Sequence, residues 1–129
     1  MNDLNSASEW VEYAEEDFVM AKSALRRRKP LVTSSCFHSQ QCAEKYLKAM
    51  LVSRGAEFPK THDLIILDRL CNEAGVFTGF TREELGRLSA YAVHTRYPGA
   101  QPAPDEGQEA LEIASFIRRF ARAFLGIGR

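Results

Sequence analysis

The chain has 129 residues, 45% of them hydrophobic and 26% charged, with 17 basic residues balancing 17 acidic ones. This size and composition fit one globular domain with its own core. The zero formal charge sets it apart from strongly basic nucleic-acid binders, although a local basic patch remains open. No apolar run approaches the ~20 residues that a membrane-spanning helix needs. The start, MNDLNSASEW, lacks the basic-then-apolar pattern of a secretory signal. Cys36, Cys42 and Cys71 are odd in number and fall in apolar helical settings, so reduced core thiols of a cytoplasmic protein are expected. No metal site is expected, because helical geometry points Cys36, His38 and Cys42 in different directions.

Read in order, the sequence predicts five helices. Ser6-Ala7-Ser8-Glu9 has the form of a capping box, so a first helix should run from there to about Arg28. Trp10, Ala14, Ala21 and Ala24 share one face, with Val11, Phe18 and Leu25 beside them. Asp17 lies in line with that face and is expected to pair with a Lys or Arg of a neighbouring helix. Arg26-Arg27-Arg28-Lys29 suits the negative end of the helix dipole, with phosphate contact as the alternative. Pro30 breaks the first helix and is placed to open the second, which should reach about Arg54 and stop at Gly55.

Thr61 is expected to cap a third helix, His62 to Ala74, closed by Gly75, with Leu64, Leu67, Leu70 and Cys71 on its apolar face. His62 would then occupy the first turn, either as a capping-region side chain or as a site residue facing the central helix. Thr81-Arg82-Glu83-Glu84 repeats the capping-box pattern and opens a fourth helix carrying Leu85, Leu88 and Val93. That helix should fray near His94, because Tyr97-Pro98-Gly99 follows. Asp105, with Gln108 three residues on, is expected to cap a last helix that runs to about Leu125. Ile113, Ile117, Phe120 and Phe124 repeat along it at helical spacing, and Phe116 enlarges their face. No strand pattern, internal repeat or dividing linker appears. The expectation is an all-α, up-and-down bundle of about five helices occupying 1–129 as one domain. Its generous apolar surface points to a homodimer.

The stretch from Ser35 to Val52 organises the rest. At ~100° per residue, Cys36, Ala43, Leu47 and Met50 fall on one face, and Cys42 and Ala49 extend the apolar surface round the back, as befits a central helix. Gln40 interrupts the apolar face and must find hydrogen-bond partners if it is buried. It reads either as a satisfied structural amide or as a group facing a cleft or second subunit. His38, Gln41, Lys45 and Lys48 gather on one narrow polar strip with the same alternatives.

No standard catalytic signature is present: no phosphate-cradling glycine loop, no H-E-x-x-H and no G-x-S-x-G. The suggestive cluster is Tyr91, His94, Arg96 and Tyr97, bunched where the fourth helix gives way to a proline-containing loop. Arg holds a phosphate bidentately, His moves a proton near neutral pH, and Tyr stacks on a base. The plain alternative is that Arg96 pairs with a carboxylate and Tyr97 packs under the loop.

Trp10 and Asp17, the central run with Gln40, Gln41, Glu44, Lys45, Leu47 and Lys48, then Lys60-Thr61-His62-Asp63-Leu64 and Arg96-Tyr97-Pro98 together resemble the HEPN domain, a helical module associated with nucleotides. The resemblance implies an all-α dimer, often encoded with and paired to a minimal nucleotidyltransferase as toxin and antitoxin. Some members are metal-independent ribonucleases with an Arg followed by a His after four to six residues. Arg96 matches that Arg, but Tyr97 to Ala103 contains no His, and the Tyr expected after it is missing too. The reading implied is a non-catalytic module that binds a nucleotide or other phosphorylated ligand, without a further cofactor. Its contacts would be Arg96, Tyr97, His94, Lys45, Lys48 and His62. The alternatives are a ribonuclease toxin using Arg96 with His94 or His62, and a purely structural dimeric adaptor.

Overall fold

The computed structural model describes residues 6–93 and 101–128. It contains α1 (Ala7–Arg26), α2 (Val32–Ser53), α3 (Leu64–Glu73), α4 (Arg82–Ser89) with a 3₁₀ turn at Ala90–Ala92, and α5 (Pro104–Phe124), with no strand among the described residues. Helix α2 packs against all the other helices and the 3₁₀ turn. From Cys42 to Leu51 only Lys45 escapes burial. The core gathers Tyr46, Leu47 and Met50 of α2 with Leu64 and Leu67 of α3, Leu85 and Leu88 of α4, and Ile113 and Ile117 of α5. Truncating such a buried Leu to Ala costs ~2–5 kcal/mol.

Local chemistry accounts for the ends of most elements. Ser6 and Glu9 form the predicted reciprocal cap of α1, and Thr81 Oγ1 accepts from Glu84 N at the start of α4. Gly55, at φ +69°, ends α2 in the left-handed conformation that glycine adopts without strain.

Several boundaries differ from expectation. Helix α1 stops at Arg26, and α2 begins at Val32 behind Leu31, whose N–H bonds Ala24 O at 2.9 Å. The cap of α3 is Asp63, which accepts from Ile65 N, while Thr61 accepts from Asp63 N. His62 therefore precedes the helix and does not lie in its first turn. Helix α5 starts at Pro104 and is capped at Ala103, whose N–H bonds the Glu106 carboxylate at 2.7 Å; Gln108 instead reaches Glu112. Proline at the first helical position lacks the N–H that would go unbonded there. Val93, Phe116 and Phe124 are exposed and not core. Gly107 lets α5 approach the α1–α2 turn closely, since a Cβ there would meet Leu25 and Val32 at 3.0 Å.

Candidate functional site

Two buried carboxylates organise the polar chemistry beside α2. The first is Asp17 of α1, whose two oxygens meet Lys45 Nζ at 2.5 Å and His38 Nδ1 at 2.8 Å, both from α2. This is the interhelical pair expected for Asp17. It also engages half of the polar strip, because Lys45 and His38 both clasp α1 through Asp17. A brace of similar kind joins α1, α2 and α5. Arg118 grips Glu15 at 2.6 and 2.9 Å, Tyr46 donates to the same carboxylate, and Arg122 donates to the Tyr46 hydroxyl. Burial opposes the Glu15 charge, but Arg118 and Tyr46 outweigh it and hold the carboxyl below its ordinary range.

The second carboxylate is Glu44, whose side chain is 4% exposed. Its Oε2 accepts from Lys48 Nζ at 2.8 Å, and its Oε1 accepts from His62 at 2.9 Å and from Gln40 Nε2 at 3.2 Å. Burial would raise the Glu44 carboxyl, but these donors outweigh it and keep it below the usual carboxylate range. Gln40 Nε2 also reaches His62 O at 3.1 Å, while its own carbonyl accepts from Gln41 at 2.7 Å. The amide that interrupted the apolar face is thus fully engaged. His62 O accepts a second bond from Ser89 Oγ at 3.2 Å, and Ser89 Oγ accepts from Leu64 N. The backbone of His62 is fixed from α2 and α4, and its ring is fixed by Glu44.

This network forms one wall of a cavity of about 770 Å³ at the corner between α2 and α3, within the range of small-ligand sites. Trp10 of α1, Lys48 and Val52 of α2, and Phe58, Lys60 and His62 of the connecting loop line it, with Glu57 at the same loop. Trp10 and Phe58 meet edge to face at 6.2 Å, and Lys48 Nζ lies 5.4 and 5.7 Å from their ring centroids. His62 lies at the open side, with 66% of its side chain exposed. Trp10 Nε1 and Ser39 Oγ are buried without a hydrogen-bond partner among the described residues.

The sequence had marked Lys48 and His62 for this chemistry, and the fold brings them together on Glu44. It had not marked Glu44, Trp10, Phe58 or Lys60 as site residues. The available signal was the i, i+4 ladder Gln40–Glu44–Lys48, which places the three side chains on one strip. Arg96, His94 and Tyr97 lie outside the described residues. Their neighbour Tyr91 donates to Glu106 at 2.8 Å, and burial followed by that carboxylate pushes its phenol up. A second cavity of about 690 Å³, lined by Pro30, Leu31, Val32, Phe37, Gln101 and Pro102, has no charged side chain on its described wall. The three cysteines are buried and unpaired, and burial pushes the Cys36 and Cys71 thiols up to about 12. No group of three His, Cys, Asp or Glu side chains placed to hold a metal occurs among the described residues. No described helix is long and apolar enough to cross a membrane.

The HEPN domain model matches residues 7–124, from the first turn of α1 to the last of α5. The chain belongs to the HEPN-domain family. Two solved structures share this HEPN architecture. TT1696 from Thermus thermophilus is 28% identical, with a TM-score of 0.73 over 92% of this chain and 98% of that one. ST0689, described as an archaeal HEPN homologue, is 22% identical, with a TM-score of 0.67 over 93% and 98%. No curated protein matches the chain.

Proposed function

We propose that this HEPN domain is a non-catalytic module that binds a nucleotide or another phosphorylated ligand, acts as a homodimer, and works with a minimal nucleotidyltransferase in a toxin–antitoxin-like pair. The observation that carries the reading is the corner cavity. It combines two aromatic rings, the cations Lys48 and Lys60, and a fixed imidazole in a space of nucleotide size. Lys48 is already paired with Glu44, so Lys60 and His62 are the groups left to meet a phosphate or sugar there. Arg96, with Tyr97 and His94 beside it, keeps its reading as a further phosphate contact. The missing His after Arg96 supports binding without cleavage. Tyr13 and Met20, seven residues apart on α1 and both more than half exposed, support a second copy as partner.

Isothermal calorimetry across the common nucleotides tests this. Heat is expected with at least one of them, and Arg96→Ala should weaken it by about tenfold, as for a charge-assisted hydrogen bond. No heat with any nucleotide, together with no nucleotidyltransferase co-purifying from native extract, would overturn the reading. The Glu44–His62 pair favours one second reading, a metal-independent ribonuclease in which His62 moves the proton. RNA cleavage without added metal, lost in Arg96→Ala, would establish it.

A further inference from the structure

The contact between Glu44 and His62 is not needed to neutralise charge. Lys48 already compensates Glu44 through the other carboxylate oxygen, and both partners of that ion pair are buried. Burying a carboxylate among apolar helices is costly unless it is paired and hydrogen-bonded, and Lys48 with Gln40 already meets that need. His62 is different in kind. Its ring is largely exposed, so clamping it adds little apolar burial. Yet the residue is held at three points, Nδ1 by Glu44 and the carbonyl by Gln40 and by Ser89, and Ser89 Oγ also accepts from the N–H of Leu64 two residues on. An exposed side chain fixed this thoroughly at the edge of a cavity is preorganised for something outside the chain.

The chemistry of the clamp says what. An ionised carboxylate only accepts hydrogen bonds, so the ring nitrogen facing Glu44 carries the hydrogen. In the neutral imidazole this leaves Nε2 as an acceptor, and the tautomer is set by the partner of the other nitrogen. With the imidazole neutral, the ring nitrogen left free of the clamp is an acceptor, on a side chain that lines the cavity. It stands on the same loop as the Glu57 carboxylate and the Lys60 cation, and the rings of Trp10 and Phe58 line the same cavity. A ligand that fits must present a hydroxyl donor to His62, an anion to Lys60 and a flat apolar face to the aromatic wall. A ribonucleoside phosphate has all three.

Resting on the nucleotide-binding reading above, we propose that His62 is the ribose-reading group of this cavity, with Glu44 and Gln40 as the positioning residues that fix its tautomer and place. The site distinguishes ribonucleotides from their sugar-deoxygenated counterparts because His62 Nε2 accepts from a ribose hydroxyl.

Trp10 is the single tryptophan of the chain, so its fluorescence reports on this cavity and nowhere else. Titration at pH 8 with the four ribonucleoside monophosphates and their 2′,3′-dideoxy forms should show the ribonucleotide binding about tenfold more tightly, the worth of one hydrogen bond to a good acceptor. His62→Ala should bring the pair to equal affinity. Glu44→Gln should narrow the preference, and ¹⁵N NMR of the His62 ring should show hydrogen on Nδ1 in the native protein and a tautomer mixture in the variant. Equal binding of both sugars by the native protein, a preference that survives His62→Ala, or a native ring protonated at Nε2 would each overturn the proposal. Any of these would leave nucleotide binding itself standing. Failure of every nucleotide to change the fluorescence or release heat would remove both readings. Because His62 is exposed, the His62→Ala comparison holds even if Glu44→Gln fails to fold.

Discussion

Asp17 and Glu44 are two versions of one device. Each is a buried carboxylate that takes a lysine on one oxygen and a histidine Nδ1 on the other, in the same protein and against the same helix. They differ in where the histidine comes from. His38 belongs to α2, is 23% exposed, and closes the seam between α1 and α2. His62 comes from the α2–α3 loop, is 66% exposed, and borders a cavity. The first arrangement reads as a fastener, because every polar atom it uses lies between two packed helices. The second adds an accessible ring nitrogen, an aromatic wall and the Lys60 cation. The identity of the clustered residues does not separate a fastener from a candidate site. Exposure and the neighbouring empty space do.

The two carboxylates should differ most in what they contribute to stability. Glu44→Ala strands Lys48 at 9% exposure, whereas Asp17→Ala strands Lys45 at 24%. Removing one partner of a buried pair costs ~3–5 kcal/mol. Glu44→Ala should lie near the upper end and Asp17→Ala below about 3 kcal/mol, because solvent reaches Lys45. Urea unfolding measures both. Equal losses would break the distinction between the two sites.

A smaller effect comes from pH. The folded carboxyls of Glu44 and Glu15 lie below their ordinary value of 4.5. Each therefore contributes stability that is present above that value and is lost as pH falls through the depressed folded value. Asp68 has the opposite sign: burial raises its carboxyl despite donors from Thr78 and Asn72, so its contribution favours the folded state below the ordinary value of 3.8 and fades as pH rises. The depressed pair outnumbers it, so unfolding free energy should fall between about pH 5 and pH 2. In Glu44→Gln that slope should be shallower, as followed by circular dichroism.

The smallest change in stability should come from His62→Ala, below about 1 kcal/mol because Lys48 and Gln40 still satisfy Glu44, while nucleotide preference changes most. His38→Ala should do the reverse, costing ~1 kcal/mol through the lost bond to Asp17 and leaving Trp10 fluorescence titrations unaltered. Denaturation and titration on the two variants, side by side, form the simplest check of which histidine is the fastener.

Short-range chemistry was written in the chain and could be read from it. The Ser6 and Thr81 caps, the Gly55 stop, the apolar periodicity of α2 and the family pattern were all legible there, because each depends on residues within a turn or two of one another. The same local reading misplaced the start of α3 by favouring Thr61 over Asp63, and the start of α5 by favouring Asp105 over Ala103. In each case two capping arrangements compete within a few residues, and the approach of the chain to neighbouring helices selects between them. Which carboxylate Lys45 meets was settled by helix packing, whereas the Lys48 partner lies within the same helix. Lys45 and Lys48 lie on one strip of α2, yet Lys45 turns to Asp17 of the packed neighbour and Lys48 to Glu44 one turn back. Likewise, periodicity carries no sign that Phe58, Lys60 and His62 fold over Trp10, since a loop has no repeat to read. The cavity follows from how helices pack, and packing depends on residues that are distant in the chain.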